Sequence, residues 1–308
     1  MDMQDQNQNI LSGLRLVEGL FAQGRFVEVR QVGKQVLDTA GPVTESGWHF
    51  LVHQIIHAAE KELERQATVP AKKLNIAVVA VATGKYFRFV DPLVSSLRAN
   101  FLTSHDVKIF VFSDTYKSTS DDVHVQKVSR KGFPGDTLYR YHYFASMYDV
   151  LRGFDYIFYL DADMSVCDVV GDEVIPSYGR TLVGVAHPGF FCMQNYLGTP
   201  ETRSESVAFL PATQSRYCYW AGGFNGGRAD AFLDMCVALA RAVDEDARRG
   251  TTAVWHDESH LNRYFSAHAG AVMTLTPAYC YPEGTNLHLP MKRKIMALKK
   301  DHAEVRSL

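Results

Sequence analysis

This 308-residue chain lacks any run approaching the ~20 consecutive apolar residues that a membrane-spanning helix needs. Its first residues, Met1 to Asn9, are polar and acidic, whereas a secretory leader is basic and then apolar. A soluble protein is expected. Charge of one sign is also lacking: the formal net charge of −2 leaves no global basic field, which argues against sequence-independent nucleic-acid binding. Cysteine is scarce. The five present (Cys167, Cys192, Cys218, Cys236 and Cys280) are scattered, odd in number and without a CxxC pair, so neither a zinc site nor a complete disulfide framework is indicated. Reduced thiols in a cytoplasmic protein are the plainer reading.

What is present is ordinary material for a fold. Hydrophobic residues make up 46% and charged residues 21%, which sets the chain apart from disordered ones. Its length suits one large domain, or one domain with a small appendage. Residues 8 to 65 read as helices, with Leu11, Leu14, Val17 and Leu20 at helical spacing before a break at Gly24. A second run (Phe26, Val29, Val32, Val36, Leu37) stops at Gly41-Pro42, and Trp48, Leu51, Ile55 and Ile56 mark a third. Two short helices about a glycine turn loosely resemble one tetratricopeptide unit. Residues 1–70 therefore read as a helical appendage for docking or homo-oligomerisation, the alternative being an integral part of the core.

After a polar linker at 66–73 the pattern changes, and residues 71–308 read as a second unit. Leu74 to Val81, Val107 to Phe112 and Tyr156 to Leu160 are short apolar runs ending in small or polar residues. Val90–Leu102 and Leu138–Leu151, between them, have helical periodicity. Strands alternating with helices imply an α/β fold with a mostly parallel central sheet, and such sheets bind ligands beyond the carboxyl ends of their strands.

Three segments there carry chemistry. The run ending in Asp161-Ala162-Asp163 sets two carboxylates two residues apart after a buried strand. Residues i and i+2 point the same way in extended chain, so the charges repel unless a cation sits between them. A hard divalent ion, Mn²⁺ or Mg²⁺, completed by a diphosphate, resolves this, and two strand-end aspartates capping a turn is the bland alternative. Further on, Trp255 to Asn262 opens a helix on which Asp257 is placed to cap the first turn. Glu258, Leu261, Asn262 and Phe265 share a face that packs inward, so Glu258 is either a functional carboxylate or one that caps amides or pairs with an arginine. Finally, Tyr219 to Gly227 packs four glycines among aromatics. That suits close approach of backbone to a sugar ligand, or a glycine-rich hairpin or bulge; the lysine and spacing of a P-loop are missing.

Together these segments resemble glycosyltransferase family 6, the retaining α-1,3-galactosyl- and N-acetylgalactosaminyltransferases that include the ABO blood-group enzymes. The most specific stretch is WHDESHLNRY at Trp255–Tyr264. Ala82 to Phe89, Phe110 to Asp114, His187 to Phe190, the glycine stretch and the tail from Lys300 to Arg306 follow in the family's order, and the likeness covers residues 74 to 308. The resemblance implies a GT-A-type nucleotide-sugar-binding fold and a UDP-sugar-dependent hexosyltransferase. It places Val81, Thr83 and Tyr86 about the uracil and ribose, and Asp161 and Asp163 on Mn²⁺ against the UDP diphosphate. Arg140 would meet the donor near the metal, and Lys300 and Arg306 would neutralise the diphosphate. His187, Thr199 and Trp255 would contact the acceptor, a galactoside-containing glycan with or without fucose. Asp257 would hold donor hydroxyls, and Glu258 would lie beneath the anomeric carbon.

The chain departs from the animal enzymes in having a helical N-terminal segment where they carry a membrane anchor, which points to a soluble microbial or viral member. It keeps the acidic pair that many bacterial members replace with asparagine, which implies metal dependence. The segment from Cys192 to Arg203 matches poorly and leaves acceptor identity open. Ala221 and Gly223, with Gly222 between them, fall where the family separates galactose from N-acetylgalactosamine, and small residues there favour UDP-N-acetylgalactosamine. Two other readings compete. A non-catalytic nucleotide-sugar- or glycan-binding module on the same fold has no use for Glu258, and a nucleotidyltransferase has none for the WHDESHLN run.

Overall fold

The computed structural model describes residues 13–21, 26–40, 48–67, 72–118, 120–176, 179–191, 197–214, 218–285 and 291–306. Leu11, the breaks at Gly24 and Gly41-Pro42, the centre of the linker, and Cys192 with the start of the poorly matching segment lie outside them. Helix α1 (13–21), α2 (Phe26–Ala40) and α3 (Trp48–Ala67) precede the first strand. The main sheet has seven strands: β1 (Asn75–Val81), β2 (Asp106–Ser113), β3 (Val123–Lys127), β4 (Tyr156–Leu160), β6 (Leu182–Ala186), β7 (Trp220–Arg228) and β8 (Val272–Leu275). Their order is β3-β2-β1-β4-β7-β6-β8, all parallel except β7, which runs antiparallel to both its neighbours. A second sheet of β5 (Met164–Val166), β10 (Ile295–Ala297) and β9 (Tyr281–Pro282) brings the C-terminal segment back beside Asp163, whose carbonyl accepts from the Leu298 amide at 2.9 Å.

The two-residue strand period sorts the core into two layers. Ile76, Val78, Ala80, Phe158, Leu160 and Phe224 face α4 (Val90–Asn100) on one side of the sheet. Ala77, Val79, Ile157, Tyr159 and Trp220 face α6 (Arg140–Ser146), α8 (Ala229–Arg248) and α9 (His256–Ala267) on the other. Strands buried on both faces are apolar throughout, which is why β1, β2 and β4 stand out in the sequence. The helical reading of 138–151 resolves into three short pieces, α5 (Gly135–Leu138), α6 and α7 (Tyr148–Leu151). α8 owes its length to an alanine- and leucine-rich stretch and stops where Gly250 takes φ +70°, the left-handed cap that glycine accepts without strain. Among the described residues no helix is long and apolar enough to cross a membrane.

The N-terminal helices lie against the free edge of β8. The Gln54 side-chain amide donates to the Thr274 carbonyl, closing one edge group that would otherwise be open. Leu51, Val52 and Ile56 of α3 are buried within the same cluster as Trp220 and Phe265. Gly33 on α2 sits where a Cβ would meet Ile56 Cγ1 at 2.5 Å, so these two helices pack as closely as a glycine allows. Shared burial makes the helices and the sheet one cooperative unit in thermodynamic terms. Ile56→Ala should therefore lower the stability of the whole chain by about 2–4 kcal/mol, through loss of buried surface and the cavity left behind. Denaturant unfolding followed by tryptophan fluorescence and by circular dichroism checks this. A separate early transition for the helical signal alone would show that the segment folds by itself.

Candidate active site

The site is made by an interruption in the sheet. β6 pairs with β7 from Leu182↔Gly227 to Gly184↔Asn225, then resumes at Val185↔Ala221, so Gly222, Gly223 and Phe224 bulge out of that ladder. On the other side β4 keeps its pairing with β7 through Leu160↔Phe224. Bulges re-aim backbone groups, and here they aim two at the carboxyl end of β4. The Gly223 carbonyl accepts from the Asp161 amide at 2.9 Å, and the Gly222 amide donates to Glu258 Oε2 at 2.7 Å. A Cβ at Gly223 would meet Met164 Cε at 2.5 Å and Asp161 Oδ2 at 3.1 Å, so a side chain there requires the Met164 tip to move. The glycine stretch is thus a central strand with a bulge.

α9 is stapled to the same strand. Asn262 Oδ1 accepts from the Trp220 amide, and its Nδ2 donates to the Trp220 carbonyl, both at 2.8 Å, while also reaching the Glu258 carbonyl at 2.9 Å. Trp255 is the N-cap residue and makes no side-chain cap bond. Asp257, expected as a cap, lies inside the first turn instead and is buried against Arg140, with Nε to Oδ2 at 3.2 Å. The buried Arg140 guanidinium holds the carboxylate inward, where the Asp257 and Glu258 amides also favour its charged form. Arg140 also reaches Asp161 Oδ1 at 3.1 Å and the Tyr159 hydroxyl, which itself donates to Asp161.

Asp161 and Asp163 do not lie in extended chain, as the two-residue spacing suggested. β4 ends at Leu160, and a turn through 162–163 brings the chain round, with the Met164 amide on the Asp161 carbonyl at 3.1 Å. Lys300, from the C-terminal segment, bonds to Asp163 and sits 5.3 Å from the Tyr86 ring centroid. Burial pushes both aspartates up, but the cations divide them. Arg140 and Lys300 hold Asp161 below the usual carboxylate range, while Asp163, facing burial and the Asp161 charge, is raised. Burial likewise raises Asp257 to about 6 and Glu258 to about 7, with Arg140 opposing the first and the Gly222 amide the second.

These groups line one cavity of about 360 Å³, in the range of small-molecule sites. Of the residues named from sequence, Val81, Thr83, Tyr86, Arg140, Asp161, Asp163, Gly222, Gly223, Trp255, Asp257, Glu258 and Lys300 line it. Ala221, His187 and Thr199 do not. Ala221 is buried in the same core layer as Phe224. His187 and Thr199 stand behind Tyr219, whose ring centroid is 5.8 Å from that of His187. Arg306 ends α10 (His302–Arg306), and its side chain lies outside the described residues. α10 closes over the cavity through Val305, and Glu304 ties it to Arg88 at 2.8 Å. Sequence reasoning missed Tyr159, Arg130, Asp136, Phe133 and His256. For Tyr159 a signal existed, a polar aromatic in an otherwise apolar strand two residues before Asp161.

The raised pKa values carry a stability consequence. A carboxyl whose folded pKa exceeds its unfolded value contributes most below the unfolded pKa, near 4, and loses that contribution as pH rises through the folded one. For Asp257 and Glu258 the loss falls between about pH 4 and 7. Glu258→Gln should therefore leave the ligand-free protein more stable than wild type at pH 8, by on the order of 2 kcal/mol, and nearly equal at pH 4. Urea unfolding of both proteins at the two pH values measures it; equal differences at both would sink the argument.

The geometry fits what comparison with known proteins finds. Residues 138–307 match the model of the family described as Glycosyltransferase family 6. The chain is 30% identical to histo-blood group ABO system transferase 1 of Rattus norvegicus over 249 residues, covering 76% of this chain and 69% of that protein. It is 28% identical to globoside alpha-1,3-N-acetylgalactosaminyltransferase 1 of Gallus gallus over 229 residues (68% of this chain, 62% of the other). With the O-antigen biosynthesis glycosyltransferase WbnI of Escherichia coli it shares 28% identity over 211 residues, covering 68% of this chain and 88% of that one. The α/β sheet, the carboxylates gathered at its strand ends and these likenesses agree: the chain belongs to glycosyltransferase family 6 and is a nucleotide-sugar-dependent hexosyltransferase.

Proposed function

We propose that this protein moves N-acetylgalactosamine, with galactose as the lesser donor, from a UDP-sugar to a galactoside-containing glycan, making an α-1,3 linkage with retention and depending on Mn²⁺ or Mg²⁺. The observation that carries the reading is the charge of the cavity. Its walls hold five carboxylates (Asp136, Asp161, Asp163, Asp257, Glu258) against three cations (Arg130, Arg140, Lys300), a formal balance of −2. A diphosphate adds more negative charge, so its entry calls for a divalent cation.

The residues fit such an ion. Asp161 and Asp163 offer hard oxygen ligands at one turn, and the raised Asp163 shows a pair whose like charges are only partly met. Among the described residues no third His, Cys, Asp or Glu completes a cage, which leaves positions for diphosphate oxygens and water. Such an ion supplies Lewis-acid neutralisation of the leaving diphosphate. Lys300, bonded to Asp163, adds a second positive charge on that side.

At the sugar, the bond between the anomeric carbon and the diphosphate oxygen breaks, and UDP carries off the electron pair. Glu258, anchored by the Gly222 amide, offers carboxylate charge to the oxocarbenium-like centre. The acceptor hydroxyl oxygen then bonds to that carbon, and its proton passes to the departing diphosphate oxygen. Retention follows either from a glycosyl ester formed and broken on Glu258 or from attack on the face that UDP leaves. Asp257, fixed by Arg140, is placed to hold donor hydroxyls. Trp255, 48% exposed at the rim, offers the acceptor a flat apolar surface. The likeness to the Gallus gallus α-1,3-N-acetylgalactosaminyltransferase supports the linkage and the acetamido sugar, and the likeness to the Escherichia coli O-antigen biosynthesis enzyme supports a glycan acceptor.

Two measurements test this. Acceptor-stimulated UDP release from UDP-N-acetylgalactosamine, with lactose and fucosylated lactose, should be abolished by EDTA and restored by Mn²⁺; release that survives EDTA overturns the metal, and none under any condition overturns transfer to these acceptors. Gly223→Ala should shift the donor ratio towards UDP-galactose by about tenfold, because its methyl takes space already bounded by Met164. An unchanged ratio would remove Gly223 from donor choice.

A further inference from the structure

Glu258 is held by half. Its Oε2 takes the Gly222 amide at 2.7 Å, and the other polar side chain that bears on the carboxylate as a donor is Tyr219. A carboxyl fixed at one oxygen still rotates about that bond, and a group that must face a developing charge needs its plane fixed as well. The Tyr219 hydroxyl stands beside it. Tyr219 is 1% exposed, and its Oη is a buried polar atom with no hydrogen-bond partner. Leaving such a hydroxyl unpaired costs free energy, so its retention at that spot wants a role. Its polar neighbours are Glu258 and Thr199.

The ring is clamped on the acceptor side. Phe190 and His187 meet it edge-on at 5.3 Å and 5.8 Å between centroids, and the Tyr219 carbonyl accepts from the His187 amide at 2.8 Å. Gly198, at φ +63°, lies so close that a Cβ there would come within 2.4 Å of Tyr219 Cγ. One side chain thus touches the segment bearing Thr199, the His187 turn and the carboxylate of α9.

We propose that Tyr219 is a positioning residue for sugar transfer: its hydroxyl donates to the free oxygen of Glu258, and the Gly198-Thr199 segment governs how closely it does so. This rests on the proposed role of Glu258 and goes beyond it, because it gives acceptor-side chain a physical means of acting on the carboxylate. Thr199 and His187, which do not line the cavity, act through Tyr219.

The experiment compares wild type with Tyr219→Phe and Gly198→Ala. Tyr219→Phe keeps the ring packing and removes one atom. It should lower kcat about ten- to a hundredfold, as for loss of a hydrogen bond to a charged group, with donor KM and UDP–Mn²⁺ affinity by calorimetry within about twofold. Gly198→Ala, which displaces the ring with the hydroxyl retained, should give the same kcat-against-KM split, and the double variant should be no worse than the poorer single one. A readout free of turnover goes with it. Carbon-13 NMR of the labelled Glu258 carboxyl should titrate at higher pH in Tyr219→Phe, since a donated hydrogen bond favours the anion. The other groups facing that carboxyl, Asp257 on its own helix, Asp161 from β4 and Cys280, are the same in both proteins. An unmoved Glu258 titration, or a kcat within twofold of wild type, overturns the assignment. A moved titration in a protein that transfers no sugar upholds the contact and rejects the transferase reading alone.

Discussion

One buried guanidinium holds the site together. Arg140 is 8% exposed and touches Asp161 at the end of β4, Asp257 in the first turn of α9 and the Tyr159 hydroxyl between them. A carboxylate taken out of water is unfavourable unless a cation and hydrogen bonds meet it, and a planar fork meets two at once. Remove that charge, and strand end and helix start repel each other across the cavity. Between α5 and α6 the chain breaks at Tyr139, and Arg140 is the first residue of α6.

The second constraint is geometric. A parallel sheet alone puts side chains at its carboxyl ends but offers little backbone there. The antiparallel β7, bulged at Gly222–Phe224, supplies an amide to Glu258 and a carbonyl to Asp161 from neighbouring residues. Acid, base and backbone are thereby set within one frame before any ligand enters, which is the condition for electrostatic preorganisation. The frame stores unfavourable charge, and the apolar layers on either side of the sheet offset it.

Much of this was legible in the sequence, for reasons that can be named. β1, β2 and β4 are apolar on both faces and end in Thr, Ser and Asp residues, so both strands and site showed. β3 has a single buried position in Val123 and an otherwise mixed pattern, and it left no comparable run. β7 was legible only as a glycine-rich hairpin or bulge, and its place as a central strand was not, although flanking strands bury all but its last residue. The turn between Asp161 and Asp163 entered the sequence reading only as the alternative to extended chain, because spacing gives separation and not φ and ψ. Asp257 misled for a related reason. Capping propensity is local, and a cation 117 positions upstream in sequence, at Arg140, decided where the carboxylate went.

The N-terminal helices, read in sequence as an appendage or as part of the core, bear on the site through a short run of contacts. Gln54 of α3 donates to the carbonyl of Thr274, and the hydroxyl of the same Thr274 accepts from Trp220 Nε1 at 3.0 Å. That indole reaches β8 across β6 only because Gly184 has no side chain, for a Cβ there would lie 2.9 Å from Trp220 Cδ1 and 2.5 Å from Phe265 Cε2. Trp220 in turn has its amide and carbonyl held by Asn262, one turn along α9 from Glu258. The edge strand β8, the central strand β7 and α9 are therefore fastened through two residues, Thr274 and Trp220. A helix covering β8 protects the edge from solvent and from pairing with another chain. It also keeps Thr274 where Trp220 needs it, so the stability of the helical segment and the placement of Glu258 are parts of one packing problem.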